Sequence, residues 1–155
     1  MRKIPQRYIP KSLTVKDRKK QMRMLNKSRK AYQRGEYYTR EKLDSYTHKK
    51  SPHIRNAQSI YHIERILPNK ELSIATGCSV EALQKIVQKG EGAYYSSGSR
   101  PNQTPQSWGI ARLASAITSG KSATVDYHIL EEGCNPKKKA LILAKKSMKK
   151  YHKRV

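Results

Sequence analysis

The chain contains no phenylalanine and one tryptophan, and its apolar fraction is 35%. That is below the usual composition of globular proteins, so a large, strongly apolar core is excluded. No run of 18 apolar residues occurs, which excludes a typical membrane-spanning helix. The opening residues, Met1 to Arg7, lack the apolar stretch of a secretory signal. The two cysteines, Cys78 and Cys134, lie far apart and have no metal-ligand spacing, so both are expected to be reduced thiols in an intracellular setting. The histidines are scattered, mostly among lysines, and no zinc site is expected. Acidic residues are also scarce: 11 Asp and Glu stand against 34 Lys and Arg, a net charge of +23.

The charge is unevenly placed. Residues 1–55 hold 18 basic and four acidic residues, residues 56–134 hold seven of each, and residues 135–155 hold nine basic and none acidic. This predicts a neutral helical core domain between two basic segments, an N-terminal arm with a helix and a C-terminal helix. Residues 1–13, with Pro5 and Pro10, read as an extended arm.

Periodicity and caps predict an all-α fold. Thr14, with Asp17 three residues on, opens a helix that ends near Gly35. Its thin apolar stripe is Val15, Met22, Leu25 and Tyr32, so a partner surface is expected to support it. Thr39 opens a short helix to Tyr46, and another covers residues 53–63. Lys70 to Thr76 and Val80 to Gln88, with Gly77 between them, form a helix-turn-helix-like hairpin. Residues 89–103 read as one long, ordered Gly/Ser loop. Thr104 and Pro105 open the most apolar helix, which runs to Ser119. Asp126 caps a short helix from Tyr127 to Glu132. Asn135-Pro136 starts the last helix, which reaches Tyr151 and carries a lysine face.

Three constellations carry candidate function. A recognition helix should present a cationic or amide-rich face, yet Glu81, Gln84, Lys85 and Gln88 sum to zero charge, which disfavours sequence-specific DNA reading. The basic segments suit a polyanion. The candidate contacts in the first are Arg18, Lys19, Lys20, Arg23, Lys27, Arg29 and Lys30. In the last they are Lys137, Lys138, Lys145, Lys146, Lys149 and Lys150, on a helix also able to lie on a membrane surface. The third is the glycine-rich loop. It lacks the preceding strand and the Gly-Lys-Ser/Thr ending of a nucleotide-binding loop. Ser96, Ser97 and Ser99 have no His/Asp partners and Glu91 no second carboxylate, so neither catalysis nor a cofactor is expected. The loop reads as structural: Ser96, Ser97, Arg100, Asn102 and Gln103 satisfy backbone groups, Gly90, Gly92 and Gly98 supply backbone freedom, and Tyr94 and Trp108 fill the core.

The run Gly90-Glu91-Gly92-Ala93-Tyr94-Tyr95-Ser96-Ser97-Gly98-Ser99-Arg100-Pro101-Asn102-Gln103-Thr104, followed by Ser107-Trp108-Gly109 and Ala111-Arg112-Leu113, resembles an uncharacterised domain family of large eukaryotic double-stranded DNA viruses. A looser form of the motif occurs in tailed-phage proteins. The resemblance extends upstream through Arg7–Leu13, Asp17–Gln21 and Gly35–Thr39, and downstream through Gly120–Ala123, Asp126 and Gly133-Cys134. It implies a virion structural protein, a minor capsid protein whose basic ends bridge or cement neighbouring capsid proteins. The alternative is a non-specific viral DNA-binding or packaging protein. An inner membrane surface is a further candidate partner, and no small-molecule substrate is expected.

Overall fold

The computed structural model describes residues 3–48 and 51–152. Among them the fold is all-α. A 3-10 turn (Gln6–Tyr8) precedes α1 (Val15–Gln33), α2 (Pro52–Tyr61), α3 (Lys70–Thr76), α4 (Val80–Ser96), α5 (Pro105–Ala116), α6 (Lys121–Val125), α7 (Tyr127–Gly133) and α8 (Lys139–His152).

The chain forms two units. The first joins residues 1–50 to residues 91–108, and the second joins residues 51–90 to residues 109–155. The boundaries therefore do not follow the charge steps at residues 55 and 134. The first unit carries 18 basic and five acidic residues, a balance of +13, and the second 16 and six, a balance of +10. Both are cationic because packing groups the neutral loop with the N-terminal segment and the lysine-rich end with the neutral helices.

In the first unit, α1 opens where Thr14 accepts a hydrogen bond from the Asp17 amide (3.2 Å), and Gly35, at φ +77°, follows its end. Its buried face shares only Leu25 with the expected apolar stripe. Val15 is 59% exposed and Met22 41%, whereas Gln21, Met24, Leu25, Ser28, Arg29 and Ala31 are buried. The face works because its polar members find backbone acceptors. Gln21 donates to the Tyr8 carbonyl (3.1 Å), Ser28 to the Tyr38 carbonyl (3.4 Å) and Arg29 to the Ser97 carbonyl (2.9 Å). Helix α1 is thus supported by its own unit, contrary to the expectation of a partner surface.

Two further expectations fail here. The expected extended arm is not found over residues 3–13, since Tyr8 and Leu13 are buried and the 3-10 turn precedes α1, while residues 1 and 2 lie outside the described residues. Residues 39–46 form no helix, because side chains from elsewhere take their backbone groups. The Arg40 amide donates to the Tyr94 hydroxyl (2.9 Å), the Leu43 amide to Asn102 Oδ1 (2.7 Å) and the Ser45 amide to Asp17 Oδ2 (3.0 Å). Those bonds replace the helical ladder.

The Ser45 hydrogen bonds, with lesser help from Lys20 and Lys16, hold the Asp17 carboxyl below its usual 3.8. A depressed carboxyl value means that the tie is complete above about pH 4 and is lost as pH falls through the lowered value. The Ser45 amide should therefore lose hydrogen-exchange protection on acidification below pH ~4. In Asp17→Asn that protection should no longer change with pH over this range. An unchanged acid response in the variant would remove Asp17 as the cause.

In the second unit the core comprises Ala57, Leu72, Leu83, Ile86, Leu113, Ala114, Ile117, Leu130, Ala140 and Ala144 with their neighbours. Caps are regular: Ser51 opens α2, Asn69 opens α3, and Ser79 accepts from the Ala82 amide (3.1 Å) at the start of α4. Tyr61, on α2, donates its buried hydroxyl to the Ile117 carbonyl. Helix α5 closes at Ala116, three residues before its expected end; Ser119 takes φ +59° and the Gly120 amide bonds back to the Ser115 carbonyl (2.9 Å).

The expected reduced thiols are corrected: Cys78 and Cys134 form a disulfide. Two flanking backbone bonds bring them together, from the Ser79 amide to the Gly133 carbonyl and from the Asn135 amide to the Gly77 carbonyl, both 2.8 Å. Gly77 is required here twice over. Its φ is +79°, and an added Cβ would sit 2.3 Å from the Lys138 Cβ.

Candidate functional site

The expected loop of residues 89–103 is only half a loop. Helix α4 continues through Gly90 and Gly92 to Ser96. Glycine inside a helix costs about 1 kcal/mol. The continuation places Tyr94 in a fully buried position, and burying a large aromatic ring outweighs that cost. Ser96, at the last position of α4, is exposed.

The remaining segment is tied down by the side chains that the motif contains. Asn102, at φ +61°, accepts from the Leu43 amide (2.7 Å) and donates to the Leu43 carbonyl (3.2 Å), clasping one residue from both sides. Gly98 adopts φ +120°, and a Cβ there would lie 2.8 Å from Leu25 Cδ2. Gln103 accepts from Ser107, while Ser107 and Thr104 cap each other's amides at 2.9 and 3.0 Å. Trp108 is half-buried and meets Tyr8 edge-on at 5.9 Å. Arg100 is exposed.

The organising residue of this unit is Arg40, which the sequence pattern did not single out. Its guanidinium donates to Ser28 Oγ (2.8 Å), the Tyr94 carbonyl (3.0 Å) and Ser99 Oγ (2.8 Å), and lies 3.8 Å from the centre of the Tyr94 ring. It is 8% exposed and forms no salt bridge among the described residues. Burial pulls its pKa below the usual guanidinium value, with nearby tyrosines opposing the shift, yet an arginine stays protonated at neutral pH. In sequence, Arg40 looked like any other cation of the basic segment.

Arg112, in the helix that follows the loop, works in the second unit. Its Nε and Nη2 each donate at 2.8 Å to the two oxygens of Asp126, which is fully buried, and Lys89 approaches the same carboxylate at 3.7 Å. The hydrogen-bonded carboxylate raises the Arg112 pKa. Asp126 was expected to cap α7. Its side chain makes no cap bond, because the arginine fork claims both oxygens.

The predicted cationic contacts divide into used and unused groups. Arg29 is buried and bonded to the loop, so it is a structural residue and not a surface contact. Lys20 pairs with Glu41 at 3.0 Å, and Lys27 lies over the Tyr38 ring at 4.3 Å. Lys19, Arg23 and Lys30 are exposed. With Lys16, Lys27 and Arg34 they recur every three or four residues along α1, giving a row within an arc of about 80° and about 27 Å long. This row faces away from the buried face of α1. Arg34 alone in the row forms a salt bridge among the described residues, to Glu36 at 3.5 Å.

Residues 5–138 match the model of a family of unknown function, DUF5824. The chain belongs to that family. No curated protein and no solved structure matches it. The DUF5824 match contains α1 with its cation row, the clasped loop and the Arg112–Asp126 pair. It stops one residue short of α8.

That last helix repeats the arrangement. Ala140, Leu141, Ala144 and Ser147 are buried, while Lys139, Lys145, Lys146, Lys149 and Lys150 are exposed with Ile142 among them. Lys137 and Lys138 are exposed in the turn before it. The helix-turn-helix-like pair α3 and α4 presents Glu81, Gln84, Lys85 and Gln88 to solvent, a face without net charge. Its turn is held by the disulfide and the flanking backbone bonds. Among the described residues no cluster of potential ligands able to hold a metal occurs, and no helix is long and apolar enough to cross a membrane.

Proposed function

We propose that this is a virus-encoded protein that binds nucleic acid without sequence preference, through the cation rows on α1 and α8. One observation carries this reading: each helix docks by one face and keeps a row of lysines or arginines exposed on the other, Arg29 of α1 being the buried exception. Folding therefore leaves the charge available for phosphates. The viral assignment rests on the loop-and-helix motif, and residence in the virion follows from it as part of the proposal.

The test is salt dependence. Lys16, Lys19, Arg23 and Lys30 make no salt bridge among the described residues, so about four phosphate contacts from α1 are expected. That number implies a loss of roughly a hundredfold in affinity for duplex DNA between 50 and 200 mM salt. Reversing Lys19 and Arg23 to glutamate should flatten the slope. Absence of DNA binding at low salt would reject the reading.

A second reading is a minor capsid protein that bridges neighbouring subunits. It is favoured by apolar side chains left in water, with Ile74 70%, Val125 55% and Ile142 42% exposed. Binding to isolated capsid proteins, unaffected by added DNA, would favour it over the first.

A further inference from the structure

We propose that the cation row of α1 takes a single strand in preference to a duplex, with one nucleobase entering a cavity beside the row. The inference rests on the nucleic-acid reading above. The cavity, about 380 Å³, is lined by Ile4, Pro5, Gln6, Ile9, Arg18 and Met22, with Lys11 completing it. Its volume lies in the range of pockets that hold small molecules, ~300–1,000 Å³. Arg18 and Met22 immediately precede Lys19 and Arg23 of the row, so cavity and row occupy neighbouring strips of one helix.

The lining matches a base better than a phosphate alone. Ile4, Pro5, Ile9 and Met22 offer apolar walls for a flat ring, and the Gln6 amide and Arg18 guanidinium offer hydrogen bonds to a base edge. Arg18 supplies the independent sign of a missing ligand. Its Nε–H is buried and has no hydrogen-bond partner. A donor withdrawn from water without an acceptor is costly to the free protein, and a shift of the Arg18 side chain toward an arriving carbonyl or ring nitrogen would remove that cost. Met22 is 41% exposed at the cavity wall, an apolar side chain left in water beside the row. A duplex keeps its bases paired and stacked, whereas a single strand can turn one out while its phosphates follow the cations.

The test uses the full chain and three labelled DNAs of equal length: a single strand, its duplex, and an abasic strand with the same phosphates and no bases. Fluorescence anisotropy at low salt should show the single strand binding about tenfold more tightly than the abasic strand and the duplex. Arg18→Lys keeps the charge but removes the Nε donor, and Met22→Trp fills the cavity. Each should cut single-strand affinity to within about twofold of the abasic strand and leave duplex affinity unchanged. Circular dichroism of both variants checks that the fold is intact. Equal binding of the single and abasic strands overturns the cavity inference while leaving the nucleic-acid reading in place. So does an equal loss for every DNA in both variants. No binding of any of the three overturns both.

Discussion

Opening the Cys78–Cys134 bond, by reduction or by changing both residues to alanine, should lower the stability of the second unit by about 4 kcal/mol. The cross-link joins residues 56 apart, and closing a loop of that length removes about that much chain entropy from the unfolded ensemble. In a chain of this size the midpoint of thermal unfolding should fall by about 8–16 °C. The two sulfurs also pin the turn between α3 and α4 to the segment between α7 and α8, where Gly77 and Gly133 leave no room for side chains. Opening the bond should therefore raise hydrogen exchange in α3, α7 and α8 before the rest of the unit. Non-reducing mass spectrometry with alkylation checks the bond itself. Rapid labelling of both cysteines in the native, unreduced protein would show that the bond is not present in solution.

Arg40→Met should destabilise the first unit by about 3 kcal/mol. Methionine keeps the unbranched stem but removes the donors that serve Ser28, Ser99 and the Tyr94 carbonyl. Each buried acceptor left without its donor costs of the order of 1 kcal/mol or more, and the contact with the Tyr94 ring is lost as well. Part of this is offset, because the native state no longer bears the cost of burying an uncompensated charge. Arg40→Lys keeps the charge but reaches fewer acceptors and cannot stack as a plane, so a loss of about 2 kcal/mol is expected. Urea unfolding followed by the fluorescence of Trp108, which belongs to this unit, measures both. A methionine variant within about 0.5 kcal/mol of the parent would show that the arginine is not what holds the loop.

Both predictions concern residues that local patterns could not rank. The cysteines had no spacing signal because their pairing depends on a backbone bridge between two distant turns. Arg40 stood among the 18 basic residues of positions 1–55, and only the position of Tyr94 and the two serines separates it from the others. The apolar stripe expected on α1 failed at every member but Leu25 for a related reason. Periodicity rules count apolar residues, but Gln21, Ser28 and Arg29 are buried because carbonyls from other segments meet them.

Other features were legible from residue type alone. The all-α class, the caps at Thr14, Asn69, Ser79 and Thr104, and the stop at Gly77 follow from side chains that bond their own local backbone or from a glycine at positive φ. The sequence alone therefore determined the all-α class, most of the helix starts and the excess of positive charge, because those depend on neighbours along the chain or on composition. Tertiary structure decided which face of α1 is buried, that α4 runs on through two glycines, that residues 39–46 are held open, and that the two cysteines join. It also decided which cations remain in water. Each of those outcomes depends on acceptors or ring faces supplied by residues dozens of positions away, and no local pattern contains that information.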